Sequence, residues 1–119
     1  MSPLAAAVYA ALVKRLALPD PRISYADLAR LLHDVSEDFT HLFHRSRELY
    51  AALDEIGREC ERRRLPPLPA LVVRADSRRP GAAYFTGKHG KLRYKGEQVA
   101  AWQRDLEAVK AAAKRFATP

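Results

Sequence analysis

His41 and His44 lie three residues apart, with His33 upstream, and two imidazoles one helical turn apart can share a metal ion. A structural zinc site takes four ligands, and the one cysteine, Cys60, falls on the apolar stripe of another segment, where a free thiol acts as a small hydrophobe. Asp34, Glu37 and Asp38 cluster beside the histidines, yet no paired-carboxylate-plus-lysine spacing accompanies them, and a polar turn between helices accounts for them. Cys60 has no adjacent histidine and no glycine loop of the oxyanion type, so it is not read as a nucleophile. Gly87-Lys88-His89-Gly90-Lys91 lacks the following Ser/Thr of a phosphate-binding loop. These readings predict no catalytic residue, no metal and no cofactor: a chain that binds and is not an enzyme.

The basic residues carry the strongest signal. Of a formal net charge of +7, residues 74–95 contribute +6: Arg74, Arg78, Arg79, Lys88, Lys91, Arg93 and Lys95 stand against Asp76 alone. Tyr84, Phe85 and Tyr94 interleave with them, where a merely solvated stretch would carry Ser and Glu. Bases concentrated in this way attract polyanions or acidic proteins through their summed field.

The elements that position these residues follow from periodicity. Leu4, Val8, Leu12 and Leu16 mark a first helix over about 3–17, which Pro19 and Pro21 end. Ser24, with Asp27 three residues on, opens a second over 25–33. Phe39 to Phe43 reads as a short link whose phenylalanines point inward. Leu49, Leu53, Ile56 and Cys60 set a third helix over 46–63, closed by Leu65-Pro66-Pro67-Leu68-Pro69. Strands over about 70–75 and 82–86 flank the turn Asp76–Gly81 and are expected to pair as a hairpin, with a third short strand at 92–94. Val99, Trp102, Leu106, Val109, Ala113 and Phe116 predict a fourth helix over 97–116, packing on the first or mediating a homodimer. The 119 residues suit one α+β domain. The lone cysteine, the charges Lys14 and Arg15 within the first apolar run and the shortness of that run predict a cytoplasmic chain with no membrane segment.

Helix, short strand, two helices, strand, basic turn and strand is the element order of a winged helix-turn-helix. The stretch Ile23-Ser24-Tyr25-Ala26-Asp27-Leu28-Ala29 resembles the entry to the winged-helix DNA-binding domain of alkylguanine alkyltransferases and alkyltransferase-like proteins, a resemblance covering about 22–86. Those enzymes carry a Pro-Cys-His-Arg motif after the reading helix; this chain has Leu65-Pro66-Pro67-Leu68-Pro69-Ala70-Leu71-Val72-Val73 there, so alkyl transfer is not implied. The Leu65-Pro66-Pro67, Leu71-Val72-Val73 and Pro80-Gly81 blocks are also similar to winged-helix domains of bacterial restriction and mobile-element proteins. The resemblance implies that the third helix enters a major groove by its leading end, near His41, His44, Arg45, Ser46 and Arg47. Asp54, Glu55, Glu59 and Glu61 further along would oppose phosphate, which confines reading to the first turn. The expected DNA-contacting set is Arg45, Arg47, Arg74, Arg78, Arg79, Lys88, Lys91, Arg93 and Lys95, with an acidic protein as the alternative partner.

Overall fold

Ser2 caps the first helix, α1 (Pro3–Arg15), its hydroxyl accepting from the Ala5 N–H at 3.1 Å while Pro3 fills the first turn, where no amide donor is required. The computed structural model describes residues 1–81, 84–85 and 96–117. α1 buries Ala5, Val8, Ala11 and Leu12 and ends two residues short of the expected boundary, leaving Leu16 half-buried in the turn that follows. Arg15 closes it by donating to the Pro21 and Arg22 carbonyls at 3.0 and 2.7 Å, which fixes the proline-flanked linker entering the first strand.

That strand, β1 (Ile23–Ser24), pairs with β2 (Val72–Val73) in parallel, Ile23 opposite Val72 and Ser24 opposite Val73. The expected hairpin between 70–75 and 82–86 is therefore not formed by the described residues. After β2 the chain turns back, the Arg74 N–H donating to the Arg79 carbonyl at 2.8 Å, and Pro80 has no N–H with which to extend a ladder. Tyr84 and Phe85, expected in the second strand on opposite faces, are helical and meet edge-to-face at 5.3 Å. The first part of the expected strand 70–75 belongs instead to a 3-10 turn, Leu68–Leu71, which Pro69 begins. β1 and β2 are buried on all sides, and such interior strands favour parallel pairing across a long crossover.

The crossover holds two helices. Ser24 caps α2 (Tyr25–His33) by accepting from the Asp27 N–H at 3.0 Å; the Asp27 carboxylate turns outward to Arg30 and does not complete a capping box. Residues 34–46 then carry a 3-10 turn, Glu37–Phe39, and bury Leu42 and Ser46. Phe43, expected inward, is 54% exposed, because the Ser46 hydroxyl and carbonyl-to-amide bonding close a turn over Phe43–Ser46 that holds the ring outside. α3 (Arg47–Arg62) buries Leu49, Ala52, Leu53, Ile56 and Cys60. It ends in a Schellman arrangement: Leu65 N–H to Cys60 carbonyl at 2.8 Å and Arg64 N–H to Glu61 carbonyl at 3.0 Å, with Arg64 at φ 55° in the place glycine usually takes.

The expected last helix is divided into α4 (Gly96–Ala111) and α5 (Ala113–Ala117). Trp102, 4% exposed, donates its indole N–H to the Ala70 carbonyl at 2.9 Å and anchors α4 on the Leu68–Leu71 turn, while α5 packs on α1. Leu106, Val109, Ala112 and Phe116 are buried in the same cluster. Among the described residues no helix is long and apolar enough to cross a membrane.

Candidate nucleic-acid interface

Parallel pairing decides where the basic loop emerges. The chain leaves β2 at the same end at which β1 passes into α2, so the Arg74–Arg79 loop lies over the start of α2 and not at the far tip of a ribbon. The loop is held by the chain itself. The Arg78 N–H bonds the Arg74 carbonyl at 3.0 Å with Arg78 at φ 56°, and the Ser77 hydroxyl accepts from the Arg79 N–H at 3.3 Å. Its base is fixed by Tyr25, whose hydroxyl accepts from the buried Gly81 N–H at 2.9 Å. A Cβ at Gly81 would meet that oxygen at 3.2 Å, so a side chain there would push the loop away from its anchor.

Tyr25 stacks obliquely on Tyr50 of α3, ring centroids 5.2 Å apart at 47°, and Tyr50 donates to the His44 carbonyl at 3.1 Å. The two tyrosines thus join the loop base to the turn that precedes α3. Burial pushes the Tyr50 hydroxyl above its ordinary range, and the charges of Arg74 and Arg45 both pull against that shift. On the other flank Asp20 is held down to about 2, first by its hydrogen bond from Arg22 and in smaller measure by the field of Arg78. Two sequence segments, 45–47 and 74–79, therefore supply one basic corner.

Within it the predicted residues differ. Arg45, Arg47, Arg78 and Arg79 are exposed and make no ion pair among the described residues. Arg74, also exposed, is tied to Asp76 at 2.9 Å, and the Asp76 carboxyl is kept low by the Ser77 N–H and by Arg74. The Arg74-x-Asp76 spacing carried that signal in the sequence; Tyr25, Tyr50 and Gly81 did not, since the contacts that make them matter span the chain. Lys88, Lys91, Arg93 and Lys95, and the expected strand 92–94, lie outside the described residues.

The metal reading of the histidines has other occupants. His41 meets the Glu48 carboxylate at 2.9 Å, His33 lies 2.6 Å from the Leu42 carbonyl, and no cluster of three ligating side chains occurs among the described residues. Cys60 is buried, and burial raises its thiol pKa. No protein-family model, no curated protein and no solved structure matches the chain.

Proposed function

We propose that this chain binds double-stranded DNA without catalysing a reaction, the start of α3 facing a groove and the Arg74–Arg79 loop lying along phosphates. In winged-helix terms α3 stands for the reading helix, and a closed loop takes the place of the hairpin wing. The observation that carries the reading is the set of four exposed arginines, Arg45, Arg47, Arg78 and Arg79, that make no ion pair among the described residues and come from two segments joined through one tyrosine pair. Guanidinium groups held by turns, with their charge uncompensated, suit phosphate contacts, which position a protein on DNA without reading sequence. The buried thiol and the resemblance noted above suit a cytoplasmic setting in a bacterial defence or mobile-element system.

A second reading is an acidic protein as partner, whose carboxylates the same exposed arginines would pair with as they would with phosphates. Fluorescence anisotropy with a labelled duplex, titrated across salt, separates the two. Duplex binding at low salt that is lost in Arg78→Ala/Arg79→Ala supports DNA; an intact, folded protein with no duplex binding at low salt overturns it.

A further inference from the structure

Behind the basic corner, α3 forms one side of a groove of about 410 Å³, whose other walls include Pro67, Pro69 and the rings of Tyr25, Tyr50 and Tyr84. We propose that this groove binds a proline-rich, arginine-bearing segment of a partner protein in the polyproline conformation.

Three observations point to that occupant. The first is what the tyrosines offer. Tyr25 accepts from Gly81, Tyr50 donates to the His44 carbonyl, and Tyr84 donates to Asp105 at 2.6 Å, so each hydroxyl is engaged within the chain. The rings and the two prolines then present chiefly carbon, the surface on which flat pyrrolidine rings pack in grooves that read polyproline helices.

The second is the rim. Asp54, Arg58 and Glu61 line the groove, and their side chains make no ion pair or hydrogen bond among the described residues, although Asp54 and Arg58 stand at the i,i+4 spacing that pairs readily. Asp54 and Glu61 are seven residues apart, about 10 Å along a helix axis. One turn of a polyproline helix is about 9 Å, so basic residues at every third position of such a segment match the two carboxylates. The Arg58 guanidinium between them can donate to the segment's carbonyls, which a polyproline helix leaves unbonded.

The third is Gly57, mid-helix and lining the groove. Glycine disfavours a helix interior relative to alanine, and packing does not demand it here: a Cβ would find its nearest neighbour, the Pro69 ring, at an ordinary 4.0 Å. Its absent side chain keeps the space between α3 and the proline wall open.

The test uses the full chain and a fluorescein-labelled decapeptide of prolines with two arginines three positions apart, beside a copy carrying glutamate for arginine. The arginine peptide is expected to bind and the glutamate peptide to bind at least roughly tenfold more weakly. Gly57→Leu, which fills the groove with a good helix former, should weaken the arginine peptide roughly tenfold or more while duplex binding at the basic corner persists. Should Gly57→Leu unfold, Asp54→Lys/Glu61→Lys serves instead and should reverse the preference between the peptides. No binding of the arginine peptide up to about 1 mM, no discrimination between the peptides, or affinity indifferent to both variants overturns the proposal. A concentration-dependent dimer that Gly57→Leu dissolves would assign the groove to a second copy of the chain and overturn it as well.

Discussion

The first turn of α3 and the turns that follow present different surfaces. Around its start, arginines from 45–47 and 74–79 outnumber the carboxylates, and four of them make no ion pair among the described residues. Further along, Asp54 and Glu61 flank Arg58 over an apolar floor of tyrosine and proline. The basic corner is exposed and charged, suited to a long-range field that salt weakens; the groove adds to its charged rim an apolar floor suited to short-range contact, which salt affects less. Tyr25 and Tyr50 belong to both, which makes them the place where mutation should affect the two regions together.

The largest effect is expected from Tyr25→Phe. It keeps the ring but leaves the buried Gly81 N–H without its acceptor, which costs about 1–3 kcal/mol in denaturant unfolding. Because the loop base and a groove wall are both held there, affinity for duplex and for the arginine peptide should fall together.

Arg78→Ala/Arg79→Ala should break the comparison on one side only. Loss of two phosphate contacts weakens duplex binding at low salt roughly tenfold or more and flattens the slope of log K against log salt by about 2, while stability stays within about 0.5 kcal/mol. Peptide binding in the groove should not change.

Backbone substitutions sharpen the contrast through stability. Gly57→Ala should raise the stability of α3 by about 0.5–1 kcal/mol, since the Cβ has room against Pro69. Arg64→Gly should stabilise by a similar amount, about 0.5–1 kcal/mol, by relieving a left-handed non-glycine residue at the helix end. Thermal melts of the two variants measure both.

The smallest effect concerns acid. Asp20 has its carboxyl held below the ordinary 3.8, at about 2, so its pairing with Arg22 stabilises the fold above pH 3.8 and that contribution is lost as pH falls from there toward 2. The pair is largely exposed, which limits it to under about 1 kcal/mol. Asp20→Asn should flatten the acid limb of the stability curve in that window and leave neutral pH nearly unchanged.

The places where the structure departs from sequence expectation share a cause. Val72–Val73 is a strand where a buried apolar run suggested one, but its partner lies some fifty positions upstream, and Phe43 stands outside although its hydrophobicity argued for the interior. Trp102 lies in the core, and α5 packs on α1 as the apolar stripe suggested, but α4 is anchored on the Leu68–Leu71 turn, which the stripe did not indicate. In the candidate site the arginines were legible as a charge excess, and the Arg74–Asp76 tie as a spacing. The tyrosine pair, Gly81 and the groove were not, because each depends on residues distant in the chain.

Local chemistry by itself determined the helix starts at Ser2 and Ser24, the stops at Pro19 and in the Pro66–Pro69 run, and the concentration of positive charge after Val73, since caps, fixed proline φ angles and charge counts need no partner from elsewhere. Only the tertiary structure decided that β1 pairs with β2, that the arginine loop returns to the head of α3, and that Gly57 faces a proline wall. Pairing and packing are contests among distant segments for the same buried surface, and three-dimensional contacts settle them.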